Sequence, residues 1–594
     1  MAKDKKGTIR MHKLYPRTAM SVDDPLAEIR KMVDSLPEEP TEEIRTPLIA
    51  LIVRAILHKI DFIDMVNDLV PWDQTQCRIS PGHRALALVL LPFISENQRV
   101  ALVNAQGAFA HYDMELLFDA PIDPSALNDD CLRRFLDRFA QACPEDFFNK
   151  LALRCYAVFD LPRSTLLHGD TTSHEVCGEY EEEEGIPHLG PTICAGYNKT
   201  GRKNRKIFQS GVVSDGNGLI RHCTIMDGNN ADCQWNLDAL NFLQMLYGPE
   251  FREYTYIADA KLLTKPNMEV INRAGSEVRF ISRVPSSFAE SLAAKYRSLA
   301  YERDNWIDLG RCSDDDDQKV PRASYRSQRF DVEVFGQPCH LIVYESSAAD
   351  EKVAEKLSAD EKELKNMIKH RFKDSFACVA DARKAIGEFE AEFNKLLLNP
   401  EFEVVPEMIT RWPRGRRGKD TKPLEERTVY YVRQTGLSHD EERVIDFKRK
   451  KQTFILLTNV PRSEMDDKAV LKHYKQQHVV EHIFRTMKLS VMADRIYLND
   501  PARIKALMTI LYVSYLVMGI IQAVSRKKVK ELPEPPRIYI DDKPLKSPTA
   551  AFIIASLRHF SVVTAQGSRR IVSTAHQLHT RLPILLFLLD MNQI

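Results

Sequence analysis

A chain of 594 residues is too long to close around one core, and at ordinary domain sizes it divides into about three or four units. Its 44% hydrophobic and 28% charged residues exclude a disordered or low-complexity protein. Lys plus Arg and Asp plus Glu both total 83, so a polyanionic partner must be met by local clusters rather than by overall charge.

Such clusters exist in GRKNRK (Gly201 to Lys206), RWPRGRRGK (Arg411 to Lys419), KRKK (Lys448 to Lys451) and RKKVK (Arg526 to Lys530). They are offset by the acidic runs EYEEEE (Glu179 to Glu184) and DDDD (Asp314 to Asp317). The 11 cysteines contain no CxxC pair, and the opening MAKDKKGTIRMHKLYP has no apolar leader core. Reduced thiols and a cytoplasmic location are the expectation.

Taken in chain order, residues 1–160 read as a helical region. NDDCLRRFLDRF shows the pattern well, with Asn and Asp capping signals ahead of an apolar stripe at helical spacing. From 161 to 285 the pattern turns to strands: STLLHGDTTS, then KIFQSGVVSD and LIRHCTIMD joined by a GNG turn as a hairpin. The helix ADCQWNLDALNFLQMLY, the strand YTYIADA, a helix around KPNMEVINRAG and the strand VRFISRVP complete a β-β-β-α-β-α-β order. That order makes a mixed α/β sheet in which the first and fourth strands can lie side by side.

Residues 286–460 carry strand-like FDVEVFGQPCHLIVYES and ERTVYYVRQTG around a charged helix, ending at QTFILLTNV. Residues 461–530 contain YKQQHVVEHIFRTMK and the stretch Ala506 to Val524, nineteen residues without a charge. That stretch reaches the lower limit for a membrane span. It reads instead as a buried helix packing on its predecessor, with no membrane partner. Residues 531–594 are expected to be a helical C-terminal region.

In YKQQHVVEHIFRTMK, an unbroken helix sets Tyr474, Gln477, Glu481 and Lys488 within roughly 60° of one another. Val480, Ile483, Phe484 and Met487 take a different sector. Two further acids, Asp170 in LLHGDTTS and Asp259 in YIADAKL, stand at strand ends, where aspartate is also a common turn former. The sheet order allows these two to meet, with the helix supplying a third. Three carboxylates in one cleft repel one another unless a divalent cation neutralises them, and oxygen-only ligands favour Mg²⁺ or Mn²⁺.

These motifs resemble the DDE transposases of bacterial insertion sequences, in the branch with a Y-x2-R-x3-E-x6-K signature. Tyr474, Glu481 and Lys488 match it in register, and Gln477 takes the arginine place. LLHGDTTS is similar to the family's first-aspartate strand, YIADAKL to its second, and FILLTNV to the strand before the last helix. The likeness runs from about residue 50 to 530 and includes LNDDCLRRFLDRF. The acids lie 89 and 222 residues apart, and the longer gap matches the branch's mostly β insertion domain.

The resemblance implies a ribonuclease-H-like catalytic core in two parts, 161–285 and 461–530, with 286–460 as the insertion. Asp170, Asp259 and Glu481 would be catalytic and would hold two Mg²⁺ ions, Mn²⁺ substituting. Tyr474, Gln477, Arg485 and Lys488 would bind DNA, Arg485 offsetting the loss of the signature arginine. His168 and His174, beside Asp170, are expected to be structural. Trp412 among the arginines of RWPRGRRGK suits a grip on DNA backbone. The implied activity is metal-dependent cleavage at insertion-sequence ends and strand transfer into target DNA. The implied partners are double-stranded terminal inverted repeats, target DNA and a second copy in a homodimer, with no small-molecule substrate. The helical 1–160 region would recognise the DNA end. A catalytically silent transposase-derived DNA-binding protein and a ribonuclease-H-like structure-specific nuclease remain as alternatives.

Overall fold

The computed structural model describes residues 43–591 except 96–99, 143, 179, 181–188, 196–204, 274–276, 285, 312–322, 348–349, 413, 415–421, 490–491, 494–495, 539–542, 566 and 575–580. The acidic residues of EYEEEE and DDDD, and most of GRKNRK and RWPRGRRGK, therefore lie outside the described residues. After a short strand β1 (Ile44–Pro47), the N-terminal part is helical, with α1 (Leu48–Lys59), α2 (Pro81–Ile94), α3 (Asp129–Gln141) and α4 (Pro144–Val158) its longest members. Asn128 caps α3 by accepting from Cys131 N at 2.9 Å, and Asp129 and Asp130 favour its positive end.

The chain then lays down β2 (Leu166–Glu175), the short β3 (Cys194–Ala195), β4 (Lys206–Asp215), β5 (Ile220–Met226), α5 (Asp232–Tyr247), β6 (Thr255–Ala258), α6 (Lys265–Ile271) and β7 (Arg279–Arg283). β2 pairs antiparallel with β4 and β4 with β5, while β2, β6 and β7 run parallel. The order β5-β4-β2-β6-β7 is that of a ribonuclease-H-like core, α5 and α6 making the crossovers.

The region after α7 (Ser286–Arg303) divides its strands. β8 (Ile307–Arg311), β9 (Ser324–Val334) and β10 (Gln337–Ser346) widen the same sheet rather than standing apart from it. A smaller unit follows, formed by α8 (Asp350–Arg371), α9 (Val379–Phe393), β11 (Leu398–Arg411) and β12 (Glu425–His439). It has its own apolar cluster around Leu364, Phe372, Phe389 and Leu398. After α10 (Glu441–Gln452), β13 (Thr453–Thr458) enters between β7 and β10, closing a ten-stranded sheet among the described residues. Which edge a strand joins depends on pairing that its own pattern does not encode.

Three helices then cross the sheet: α11 (Asp467–Lys475), α12 (His478–Met487) and α13 (Pro501–Glu531). The apolar stretch within α13 is 83% buried over its most hydrophobic window, as a core helix requires. Ser514 Oγ donates to Val89 O of α2 at 3.2 Å, and Arg503 pairs with Asp137 of α3, tying the N-terminal helices to the core. The C-terminal part is not wholly helical. Between α14 (Ala550–Leu557) and α15 (Leu582–Leu588), β14 (Phe560–Ala565) and β15 (Ser568–Ser573) form a hairpin, and β14 also pairs with β1. Runs of β-branched residues in SVVTA and RRIVS carry that local signal, and the partner strand lies more than 500 residues earlier.

Gly169 in β2 is required by close approach, because a Cβ there would stand 2.2 Å from the Tyr256 hydroxyl of β6. That hydroxyl donates to Asn236 Oδ1 of α5 at 3.0 Å. Gly169→Ala should therefore cost about 1–3 kcal/mol by overpacking, and Tyr256→Phe in the same chain should return part of the loss. A double-mutant cycle on the urea midpoint checks this, and strictly additive changes would contradict it.

Among the described residues, three histidines are buried neutral. Burial holds His168 and His222 down to about 4 and His174 to about 3. The unfolded chain, with rings titrating near 6.5, binds more protons than the fold between those values, so stability is complete above that pH and falls as pH drops toward 4. Between pH 7.5 and 5 the loss should be on the order of 2 kcal/mol for each ring, read as a falling urea midpoint. A midpoint flat with pH would refute it.

Candidate active site

Parallel pairing of β2 with β6 sets Leu166 opposite Thr255, Leu167 opposite Tyr256 and His168 opposite Ile257. Carried on two places, that register sets Asp170 level with Asp259, on one face of the sheet and about 5 Å apart between backbones. Asp170 is half-buried and accepts from Thr171 N at 2.7 Å. Asp259 follows the last residue of β6 and accepts from Lys261 N at 2.9 Å, capping the single turn Ala260–Leu262. Ser282 Oγ of β7 donates to Asp259 O at 2.8 Å, fixing the backbone there. Asp259 is thus a turn cap whose strand register also sets it level with Asp170.

α11 is pinned over this face by a buried ion pair. Arg329 Nε of β9 donates to Asp467 Oδ1 at 2.8 Å, with Asp467 only 1% exposed. The same guanidinium donates to Val460 O and Met465 O, and Tyr344 hydroxyl to Asp467 O. Every donor of the clamp has a partner, the condition under which a buried pair fixes one geometry. The clamp orients Tyr474, near the end of α11.

The single helix expected over Tyr474 to Lys488 is in fact two. His478 Nδ1 reaches Lys475 O at 2.8 Å and, protonated there, occupies the carbonyl that Val479 N would use in an unbroken helix. Val479 N turns to Gln476 O at 2.9 Å and Val480 N to Gln477 O at 3.1 Å, a tighter pitch of three residues per turn. Each such residue adds about 20° of rotation, so the four polar side chains do not keep the single line of a continuous helix. Glu481, in the first turn of α12, is exposed. The apolar side of α12, namely Val480, Ile483, Phe484 and Met487, packs into the core as its spacing demands.

Tyr474 reports the convergence. Its phenol is pushed up first by burial; the Arg283 charge opposes this, and the charges of Asp259, Glu481 and Asp170 all reinforce it. The charges of three acids from three elements thus act on one phenol. Tyr256, beneath the sheet, is likewise raised by burial and then by Asp259 and Asp170. Among the described residues, no group of three or more His, Cys, Asp or Glu side chains is drawn together closely enough to hold a metal ion. Asp170 and Asp259 are level by the strand register, and Glu481 is carried on the separate helix α12 beyond the joint. As a donor set the three carboxylates suit hard divalent ions and not zinc.

Lys488 ends α12, and its charge acts on buried His174, so it lies over the β2 face. His174 Nε2 bonds Ser210 Oγ at 2.8 Å, and Ser210 Oγ in turn meets the Tyr512 hydroxyl at 2.7 Å. Gln477 sits at the joint itself, half-buried. Arg485 is turned toward a different space, a cavity of about 470 Å³ that it lines with His482, Tyr515, Gln522 and Arg558. The foremost charge acting on Tyr474 is that of Arg283, at the end of β7, which sequence reasoning passed over. Its only sequence signal is a basic residue closing VRFISR, and its significance rests on register across three strands.

A family profile described as "Transposase DDE domain" matches residues 166–517, more than half of the chain. A second, described as "Domain of unknown function (DUF4277)", matches residues 48–153, the N-terminal helices. No curated protein matches the sequence closely enough to count as a relative. Among solved structures, the chain is similar to one described as "Cryo-EM structure of piggyBac transposase synaptic complex with hairpin DNA". The two are 9% identical, with a TM-score of 0.35, covering 87% of this chain and 82% of that one. A likeness that low carries no argument, whereas the match over residues 166–517 shows the family: the chain belongs to the DDE transposases.

Proposed function

We propose that this transposase cuts DNA at the ends of its own insertion sequence and joins those ends to target DNA, with Asp170, Asp259 and Glu481 as its catalytic carboxylates. The observation that supports the reading is the level pair Asp170 and Asp259 on adjacent parallel strands, with their charges and that of Glu481 all acting on the Tyr474 phenol. The three carboxylates would hold two Mg²⁺ ions, or Mn²⁺ in their place. Bound there, such a pair supplies an activated oxygen nucleophile and neutralises charge on the leaving oxygen of an in-line displacement.

The chain's own residues place the DNA. Tyr474 donates its phenol to a phosphate beside the scissile bond, the high pKa keeping that proton in place at neutral pH. Lys488 adds a point charge farther along the β2 face, and Gln477 a neutral amide at the joint. Rotation about the joint between Lys475 and His478 brings the Glu481 carboxylate in to the aspartates when the site is engaged. The substrate is double-stranded DNA bearing the terminal inverted repeats, and the α1–α4 region recognises its sequence. A homodimer holds the two ends together, working in the cytoplasm. Neutralisation of phosphates by Lys and Arg makes end binding fall with salt.

Asp170→Asn, Asp259→Asn and Glu481→Gln should each lower cutting of a labelled duplex bearing the DNA that borders the gene by at least about 10³-fold, and end binding by less than about tenfold. A gel assay with Mg²⁺ reads both. Cutting retained by either aspartate variant would overturn the assignment, and a wild-type chain that shifts the duplex without ever cutting it would favour a silent binder.

A further inference from the structure

The row of functional side chains does not stop at Asp259. β6 and β7 are parallel, with Thr255 opposite Arg279, Ile257 opposite Ile281 and Ala258 opposite Ser282. One further step sets Asp259 level with Arg283. Asp170, Asp259 and Arg283 thus form a line across three adjacent strands, on one face, with about 5 Å between successive backbones.

Arg283 is exposed, and among the described residues its guanidinium has neither a hydrogen-bond nor an ion-pair partner. Other arginines of the sheet contrast with it: Arg329 and Arg326 of β9 pair with Asp467 and Glu345, and Arg279 at the other end of β7 pairs with Glu464 at 2.5 Å. Arg283, one strand from Asp259, leaves its fork for an anion from outside the chain. Its charge is also the foremost one on Tyr474, so the guanidinium, the phenol and the carboxylates face a common space.

An anion entering that space meets two carboxylates on one side and a planar bidentate donor on the other. A phosphodiester's non-bridging oxygens can accept from the guanidinium, and its phosphorus would then lie toward Asp170 and Asp259, where the divalent ions those carboxylates would hold offset the repulsion between anions. Gln477 cannot supply such a clamp, being neutral. We propose that Arg283 binds the non-bridging oxygens of the scissile phosphodiester, taking over from β7 the guanidinium role that Gln477 leaves open in the helix. The proposal rests on the DNA-cutting reading above and names a substrate contact within it.

The test uses the full chain, as wild type, Arg283→Gln and Arg283→Lys, with a labelled duplex carrying the sequence that borders the gene. Arg283→Gln should slow single-turnover cutting by about 10²-fold or more, weaken duplex binding by less than about tenfold, and lower the slope of log affinity against log salt by about one. Arg283→Lys should restore the salt slope but only a minor part of the rate, since a point charge replaces a fork. Melting temperatures should match wild type, because the side chain is exposed and unpaired. Wild-type cutting with an Arg283→Gln variant of equal rate and equal salt slope would overturn the Arg283 proposal and leave the transposase reading intact. A lowered melting temperature with an unchanged slope would overturn it too, by making the residue structural. A wild-type chain that neither cuts nor prefers the bordering DNA would overturn both.

Discussion

The parallel register of β2 on β6 and of β6 on β7 is the constraint from which the site follows. A strand's side chains alternate, so a slip of one residue would turn Asp170 to the opposite face, among Trp235, Tyr256 and the other residues packed beneath the sheet. What prevents the slip is burial on both sides. Gly169 accommodates the Tyr256 hydroxyl on one face, and Phe208 and Val212 of the paired strand join the core under α12 and α13 on the other. The position of the aspartates is thus paid for by apolar packing at a distance from them.

The helices impose a second, looser constraint. Arg329 and Asp467 hold the start of α11 rigidly, while the joint at Gln476 and Gln477 is held by one imidazole on one carbonyl and a few three-residue turns. Both helices are anchored, α12 by Val480, Ile483, Phe484 and Met487 in the core, and under the proposed mechanism an approach of Glu481 to the aspartates would turn on the joint between them.

Much of this was legible in the sequence because the relevant signals are short-range. The β4–β5 hairpin follows from GNG between strand patterns, the cap of α3 from Asn128, and the burial of α13 from its uncharged apolar stretch. That Asp170 and Asp259 can meet was visible in the strand order, although Asp170 stands in the middle of β2 and only Asp259 at a strand end. The helix break was not visible. His478 is an ordinary helical residue by propensity, and only its competition for Lys475 O makes it a terminator. The alliance of β8–β10 with the central sheet and of β14 with β1 was equally hidden, because edge choice is settled by pairing across hundreds of residues. Arg283 needed the register of three strands at once.

The central claim is that the two level aspartates and the glutamate of α12 close on the same cations. Crystals of the full chain with bordering DNA and Mn²⁺, read by anomalous diffraction, address it directly. The account predicts manganese between the Asp170 and Asp259 carboxylates, with the Glu481 carboxylate on the same cluster and the joint rotated to bring it there. Manganese bound elsewhere, or Glu481 still facing solvent while DNA and metal occupy the aspartates, would contradict it.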